Sequence, residues 1–525
     1  MITLVVLAPT VPPYLSVAFP DGSSPLDRLV QRVEELRGPA TETERAPVVV
    51  PVPAAGGAIP GLPADWRTIK VEDRSAGTLF RALDTALPTD ADTLVCVPVD
   101  APFVDGALTR YLAALHVSSW CDYTFADGFP EGYAGEILRR DVVGTLASLA
   151  DAGGLRWTRS VLFDTLSRDI NAFDVETEAA AEDFALLRAS LTVDTRANYL
   201  LCRRLAERGL DTPTGADPVP DPRHERYPHD GINLLAALRD DPTVRRTVPY
   251  YYQVQITTEM SQRPPYTPWA DERWAPDTPG QGTHMSVDRW RRLLEAIATE
   301  TPEAVISIGY RGEPACHPDL PEILNAVDAY PGLSLYIETT GLGRTADAVA
   351  VLKSPSIAAV IVETDGLTED QYRTLRGEGH GEAHAFIDTL RGVCPDRLYV
   401  QATRMTDNEW DLQEFFTHWD GTAGAAPLIQ KYNSWAGRLP DRRVADLSPL
   451  ERIPCWHLQR DLVVLVDGTV PRCFQDLDRE AVRGNVFDDG VAAVWAAGEP
   501  DFDGHARGEY PRLCVGCDEY YTFNA

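Results

Sequence analysis

The sequence predicts an α/β protein with two parallel sheets followed by a small irregular tail. Short apolar runs alternate with helical patterns over two stretches of the chain, whereas residues 441–525 lack this alternation and hold four of the nine cysteines. A parallel sheet needs a crossover, usually a helix, between successive strands, so the alternation is typical of such a sheet. The chain of 525 residues is therefore predicted to form three domains.

The first domain is predicted over residues 1–207. Leu4 to Leu7 and Leu94 to Val99 are apolar runs typical of buried strands, and Leu26 to Leu36 has helical periodicity. This pattern favours a Rossmann-type parallel sheet. Residues 208–247 combine several prolines with many charges and have no periodicity, so they are predicted to be a linker.

The second domain is predicted over residues 248–440, where six strand-and-helix units follow one another. Such a series fits an incomplete βα barrel or an open doubly wound sheet, and the pattern alone leaves both open. The predicted strands are Tyr252–Thr258, Ala304–Ile308, Leu333–Glu338, Ala358–Glu363, Leu398–Thr403 and Pro427–Gln430. The predicted helices are Ser286–Glu300, Leu320–Ala329, Asp347–Leu352, Glu382–Arg391 and Glu409–Trp419.

Charge and hydropathy restrict the function classes. The chain has 79 acidic and 48 basic residues, and its net charge of −31 repels phosphate backbones and anionic lipid. The sequence contains no run of 18 apolar residues, and the apolar start, Met1 to Ala8, has no basic flank and stops at Pro9. We therefore expect a cytoplasmic protein that binds neither nucleic acid nor a membrane.

Four cysteines of the tail are the strongest chemical signal. Cys514 and Cys517 form a C-x-x-C pair whose spacing lets two thiolates reach one metal centre. Cys455 lies upstream of them, and Cys473 follows an Asp-Gly turn that can aim its thiolate at a fixed point. Four thiolates suit Zn²⁺ or a [4Fe–4S] cluster, and the spacing does not decide between them. The other interpretation is four buried or disulfide-linked cysteines, which a cytoplasmic chain seldom places in so short a tail.

The tail resembles a reduced SPASM domain, the auxiliary iron–sulfur extension of radical SAM maturases. The four cysteines carry this resemblance together with Gly484 to Phe487 and Ala493 to Trp495, which resemble the "GN…IW" segment of such domains. Larger SPASM domains hold two clusters on about seven cysteines, whereas four thiolates are enough for one cluster. The resemblance implies one [4Fe–4S] cluster, with zinc as the alternative, held by Cys455, Cys473, Cys514 and Cys517.

Residues 250–434 resemble a radical SAM core, and the motifs come in the expected order. Ile306 to Pro314 resembles the "GGEP" element of that family, Tyr336 to Gly341 resembles "IETNG", and Asp365 to Gly377 resembles its D-x₆-Y-x₃-R-G segment. The resemblance implies an incomplete βα barrel. It also implies that a strand end contacts the amino group of SAM, through Gly312, Glu313 and Pro314. A structural carboxylate at the end of a strand is an equally good interpretation of the glutamate.

The catalytic cluster motif of that family is changed here at every cysteine. Within Ile256 to Trp269, which resembles "TTECNxRCPYCPW", Met260, Pro264 and Thr267 stand where three thiolates would hold the cluster that chelates SAM. A thioether, a proline ring and a neutral hydroxyl do not form a three-thiolate site. The sequence therefore predicts that SAM is not cleaved reductively. Tyr250 to Ala525 is similar to the spiro-SPASM proteins, which join a degenerate core of this kind to the same tail.

The first domain resembles sugar-nucleotide transferases and cytidylyltransferase-like proteins. Asp100 follows an apolar strand, and Ser190 to Thr195 resembles the "LTVDTPED" segment of that family. The resemblance implies a nucleotidyltransferase-like fold and a Mg²⁺ site formed by Asp100 and Asp194. However, the first strand runs into Pro9 to Pro13, and prolines lack the backbone donors that a phosphate loop needs. Two interpretations are therefore open: an active transferase, and a transferase-like fold that has lost its activity.

Three function hypotheses follow from these features. The first is a [4Fe–4S] protein on a non-catalytic core, which acts in electron transfer or binds a protein, a peptide or a redox partner. The second is a Mg²⁺-dependent nucleotidyl or sugar-nucleotide transferase that acts through the first domain. The third is a radical SAM enzyme with unusual cluster ligands, which is the least favoured because the three substituted positions offer no thiolate.

Overall fold

The computed structural model describes residues 1–37, 45–56, 58–209, 233–343 and 349–522. The chain divides into two compact units, Met1–Arg245 and Arg246–Ala525. Both units are built on seven-stranded sheets, which confirms the predicted α/β class. None of the helices in the described ranges combines the length and the apolar character that crossing a membrane requires.

The N-terminal unit holds a mixed sheet in the order β3-β2-β1-β4-β6-β5-β7. All neighbouring strands are parallel except β6, which is antiparallel to both β4 and β5. The strands are β1 (Ile2–Leu7), β2 (Val48–Pro53), β3 (Arg67–Val71), β4 (Thr93–Pro98), β5 (Tyr123–Asp127), β6 (Glu136–Arg139) and β7 (Val175–Ala179). The helices are Pro25–Leu36, Ala76–Ala86, Gly106–Ser119, Val143–Gly153, Val161–Leu166, Arg196–Glu207 and Asn233–Asp240.

The first strand shows why this sheet is buried on both faces. Leu4 and Val6 pack into one apolar cluster, whereas Val5 and Leu7 pack into another. Successive side chains of a strand point to opposite faces, so an uninterrupted apolar run fills two cores at once. The predicted strand at the start of the chain therefore lies in the interior of the sheet, between β2 and β4.

The predicted linker over 208–247 needs a correction. Residues 210–232 lie outside the described residues, but Asn233–Asp240 is a helix followed by a short 3₁₀ turn, Pro242–Arg245. Leu234, Leu235 and Leu238 are buried in the core of the N-terminal unit. Their spacing places them on one helical face. The apolar pattern is too short to predict a helix among the charged residues around it.

The C-terminal unit holds a parallel sheet in the order β13-β12-β11-β10-β9-β8-β14. The strands are β8 (Tyr251–Val254), β9 (Val305–Ile308), β10 (Ser334–Thr339), β11 (Ile357–Glu363), β12 (Leu398–Arg404), β13 (Ala426–Lys431) and β14 (Asp461–Val464). β8 to β13 keep their chain order across the sheet, as in an incomplete βα barrel, whereas a doubly wound sheet reverses its order at a switch point.

Nine helices of the described residues belong to this unit, and most of them cover the sheet. They are Val287–Glu300, Leu320–Ala326, Glu369–Arg376, His380–Arg391, Leu412–Asp420, Trp456–Arg460, Val491–Ala496, Glu499–Ala506 and Arg512–Val515. The first begins where Ser286 accepts a hydrogen bond from the backbone N–H of Arg289, which is a standard N-cap. Of the predicted helix Asp347–Leu352, residues 347–348 lie outside the described residues, and Val351–Lys353 forms a 3₁₀ turn.

The tail is joined to this sheet more closely than the boundary at residue 441 predicted. β14 comes from the tail and pairs with β8, so the tail supplies the seventh strand. A turn with Gly468 at φ +89° then leads into β15 (Thr469–Pro471), which pairs with β16 (Val482–Asn485). The predicted Asp-Gly turn is confirmed, because the backbone N–H of Gly468 donates to the carbonyl of Leu465 at 2.8 Å.

Candidate metal centre and core cavity

The four cysteines of the tail line one cavity, which we call the thiol cavity. Its empty volume is about 350 Å³, part of which is open to solvent. Cys455 occupies the position before the helix Trp456–Arg460, Cys473 follows β15, and Cys514 and Cys517 lie in and just after Arg512–Val515. The structure therefore brings together four residues that are spread over more than 60 positions of the sequence.

The environment keeps these thiols protonated until a metal replaces the protons. Burial raises the pKa of Cys514 to about 11 and that of Cys473 and Cys517 to about 12, and it raises the pKa of Cys455 strongly. The neighbouring thiols raise these pKa values further, because thiolates close to one another repel. A metal that binds here must therefore displace protons, as is usual for thiolate sites.

Positive charge and donors surround the thiol cavity. The guanidinium groups of Arg472 and Arg452 lower the pKa of Cys514, and Arg483 lowers that of Cys473. The backbone N–H of Glu519 donates to Cys517 Sγ at 3.4 Å. Cationic groups and N–H donors stabilise thiolates, so the donor set and its surroundings fit a thiolate-bound metal centre.

The cysteines of the described structure are all free thiols, so the disulfide interpretation of the tail does not hold there. Within the same ranges, no three His, Cys, Asp or Glu side chains are arranged to hold a single metal ion.

The three substituted positions of the degenerate motif lie in a loop that is held by its own contacts. Thr267 donates through Oγ1 to the carbonyl of Pro264 at 2.8 Å. Met260 packs beside Trp269 and Trp274. Side-chain packing therefore stabilises the loop at the positions where the resemblance places thiolates.

A largely buried ionic network lies beside this loop, and the sequence showed the Asp365 to Gly377 motif but not these contacts. Arg376 contacts Asp365 through Nη1 at 2.6 Å and Glu363 through Nη2 at 2.8 Å. Tyr266, which follows the degenerate motif's Pro264 by two residues, donates to Asp365 and accepts from Arg376 at 2.9 Å. Arg376 and Asp365 are 2% and 1% exposed. Such a network orders a loop strongly, because each member is the partner of another buried charge or dipole.

A large cavity of the C-terminal unit opens at the carboxyl ends of its strands, and we call it the core cavity. Its empty volume is about 1310 Å³, part of which is open to solvent. Six successive strands each contribute a polar side chain to its lining: Gln253, Ser307, Glu338, Glu363, Gln401 and Gln430. Burial raises the pKa of Glu338 to about 7. Polar residues near the ends of otherwise apolar strands were the available sequence signal for this cavity.

The core cavity and the thiol cavity share part of their walls. Phe474 and Glu519 line both cavities, and each lies within two residues of a cysteine. The carboxylate of Glu519 is held by Lys431 Nζ at 2.6 Å and by Thr522 Oγ1 at 2.6 Å. A ligand of the core cavity would therefore lie close to any group that the cysteines hold.

The predicted SAM contacts at Gly312, Glu313 and Pro314 follow the end of β9, where the carboxylate of Glu313 is engaged in the fold. The carboxylate of Glu313 accepts from Thr339 Oγ1 at 2.6 Å, from both N and Oγ1 of Thr340 at 2.8 Å, and from the backbone of Ala315 at 3.1 Å. A Cβ on Gly312 would meet the carbonyl of Thr257 at 1.9 Å. These contacts favour the interpretation of Glu313 as a structural carboxylate, and contact with SAM stays a prediction.

In the N-terminal unit, the predicted metal ligands lie around the guanidinium of Arg159. The same nitrogen of Arg159, Nη2, contacts Asp100 and, at 3.3 Å, Asp194, while Nη1 contacts Glu131 at 3.0 Å. Burial raises the pKa of Asp100 to about 6, although Arg159 acts in the opposite direction. Burial also opposes ionisation of Asp194, but Arg159 and neighbouring donors hold its pKa below the usual value. The guanidinium thus lies between the two carboxylates that were predicted to bind Mg²⁺.

Comparisons with known proteins find one family match and several similar proteins. Residues 455–518 match the SPASM family, described as an iron–sulfur cluster-binding domain. The chain is 33% identical over 380 residues to an uncharacterized protein of Treponema pallidum, covering 70% of this chain and 99% of that protein. It is 25% identical over 173 residues to the GTP 3′,8-cyclase of Klebsiella pneumoniae, covering 32% of this chain and only 51% of the cyclase. Among solved structures, Streptococcus suis SuiB bound to its precursor peptide SuiA is similar at a TM-score of 0.39 and 13% identity, covering 64% of this chain and 86% of that one.

Proposed function

This chain belongs to the SPASM/radical SAM family, and from that premise we propose that it holds one [4Fe–4S] cluster in its tail while its core has lost reductive SAM cleavage. The match of residues 455–518 to an iron–sulfur cluster-binding domain supports the cluster. The observation that carries the proposal is that all four cysteines of this segment line one buried cavity.

The ligands that we propose are Cys455, Cys473, Cys514 and Cys517. When bound, such a cluster supplies one-electron exchange at a potential set by its surroundings. The chain's own contribution is to exclude water, to place cationic groups of Arg452 and Arg472 near the thiolates, and to donate the Glu519 N–H to Cys517. These features stabilise the deprotonated thiols that the cluster requires.

The proposed loss of SAM cleavage rests on the three substituted positions of the degenerate motif. Met260, Pro264 and Thr267 offer no thiolate, and the hydrogen bond from Thr267 to Pro264 uses the only hydroxyl of the three. Without three thiolates there is no iron with an open position to chelate SAM. We therefore propose that the core cavity binds a ligand, a peptide segment or a redox partner near the tail cluster, instead of generating a radical.

Anaerobic purification of the full chain tests both parts of this proposal. We expect about four irons and four sulfides per chain, the content of one [4Fe–4S] cluster, with no zinc. We also expect no 5′-deoxyadenosine when the reduced protein is incubated with SAM, because no second cluster forms. One zinc per chain with negligible iron would contradict the cluster, and turnover to 5′-deoxyadenosine would contradict the inactive core.

A second candidate function is a Mg²⁺-dependent nucleotidyl transferase in the N-terminal unit. Its support is that Asp100 and Asp194 both contact Arg159, so the fold does bring the two predicted ligands together. A divalent cation would have to displace the guanidinium, because like charges at this distance repel. For this reason we propose the transferase only as the alternative.

Arg159→Gln separates the two interpretations of this site. If the guanidinium takes the place of a metal, the substitution should raise the affinity for Mn²⁺, used as a Mg²⁺ probe in EPR titrations, by about tenfold or more, ~1.4 kcal/mol. Arg156→Gln, an exposed arginine of the same segment, is the control and should change nothing. Tight Mn²⁺ binding by the unmodified chain, with pyrophosphate release from any nucleoside triphosphate, would instead support the transferase.

A further inference from the structure

The imidazole of His505 is a buried polar group in the wall of the cavity that the four cysteines line. His505 lies on Glu499–Ala506, is only 2% exposed, and lines the thiol cavity. Neither Nδ1 nor Nε2 has a hydrogen-bond partner within the described part of the chain. Its ring packs edge-to-face against Tyr510, with 4.9 Å between the ring centroids. Buried polar groups without a partner are rare, since their desolvation is then uncompensated, so this ring needs a partner.

A second imidazole in the same cavity shows that the lack of a partner is particular to His505. His457 also lines the thiol cavity, but its Nδ1 lies 2.6 Å from Asp461 and its Nε2 lies 3.4 Å from Thr522. Burial, together with the nearby cations of Arg452 and Arg472, lowers the pKa of His505 to about 4. The ring is therefore neutral near pH 7 and carries one N–H donor.

We propose that His505 donates its N–H to a sulfur of the cluster that the four cysteines hold, and that this bond raises the reduction potential of the cluster. The inference rests on the proposed function, because the acceptor is the cluster itself. Four thiolates already supply the ligands that a [4Fe–4S] cluster needs, so the histidine acts as a donor beside the cluster and not as an iron ligand. A hydrogen bond to a cluster sulfur favours the reduced state, which carries one more negative charge than the oxidised state.

His505→Leu in the full chain removes the donor and keeps an apolar side chain in the cavity. A redox titration of the anaerobically purified holoprotein, followed by EPR of the reduced cluster, should show a potential more negative than that of the unmodified chain. A tenfold change in the one-electron reduction equilibrium would correspond to ~59 mV. His505→Gln and His505→Asn retain an N–H donor and should restore part of the potential.

His384→Leu is the matched control. His384 also has a buried ring nitrogen, Nε2, without a hydrogen-bond partner among the described residues, but it lies on His380–Arg391 and packs beside Trp419. It does not line the thiol cavity. Its replacement should leave the potential unchanged, which separates the loss of a donor at the cluster from the loss of any buried imidazole.

Pulsed EPR with ¹⁵N-labelled histidine tests the same contact without relying on the stability of the leucine variant. A weak nitrogen coupling in the unmodified chain that disappears in His505→Gln supports the hydrogen bond. No coupling, a coupling as strong as that of a direct iron ligand, or an unchanged potential in iron-replete His505→Leu would overturn it. An unmodified chain without iron would instead refute the proposed function, so the two failures are distinguishable.

Discussion

Cys514→Ala is expected to remove most of the iron and the visible absorbance from the anaerobically purified chain. The thiol of Cys514 lines the thiol cavity with the other three, and no other cysteine lines that cavity to replace it. Three thiolates leave one iron without a protein ligand, and such clusters are lost to chelators and oxygen more easily. Because metal binding free energy is part of the folding free energy, we also expect a lower unfolding temperature.

The same outcome is expected for alanine at Cys455, Cys473 and Cys517, measured as iron per chain and as absorbance. Cys121→Ala and Cys202→Ala are the controls, because both thiols are buried in the N-terminal unit. These two variants should keep full iron. Retention of the cluster spectrum after all four tail cysteines are replaced would show that the ligand set is wrong.

Arg376→Met is expected to destabilise the C-terminal unit by about 3–5 kcal/mol. The substitution leaves the carboxylates of Asp365 and Glu363 without the guanidinium that contacts both of them at 2.6 and 2.8 Å. Asp365 is 1% exposed, so water cannot take over that role. The free energy of unfolding in urea, measured on the holoprotein, gives the magnitude.

Arg373→Met on the same helix is the control for this measurement. Its side chain is 47% exposed and pairs with the exposed residues Glu369 and Asp370, so its loss should cost only ~0–1 kcal/mol. If both substitutions lowered the free energy of unfolding equally, the network around Arg376 would not stabilise the fold more than an exposed ion pair does. A large effect of Arg376→Met alone would support the view that these ionic contacts stabilise the segment around the loop of the degenerate motif.

Much of the C-terminal sheet could be predicted because its strands are strongly apolar and regularly spaced. The predicted strand Ala358–Glu363 is Ile357–Glu363 in the structure, and Pro427–Gln430 is Ala426–Lys431. β14 was missed as a member of this sheet, because its pairing with β8 depends on a contact between distant segments and not on local periodicity. The polar residues of the core cavity were missed for a similar reason, since only the parallel register brings one from each strand to the same end.

The cysteine cluster could be predicted from composition, but the groups around it could not. Cys455 and Cys517 are apart in sequence and are brought together only when the tail folds. Arg159 is a different case, because Asp100 and Asp194 were predicted as ligands but the sequence did not show that Arg159 lies between them. An arginine that is exposed to solvent and an arginine that pairs with carboxylates look the same in a sequence, and only the fold distinguishes them.

The pairing of β14 with β8 has a consequence for the order in which this protein is assembled on the ribosome. β8 is synthesised early in the C-terminal unit, but its second neighbour emerges only about 200 residues later, so one edge of the nascent sheet stays open during that time. The helix that follows Cys455 leads directly into β14. Completion of the sheet and positioning of the first cysteine are thus linked, and insertion of a four-cysteine cluster would follow translation of Cys517.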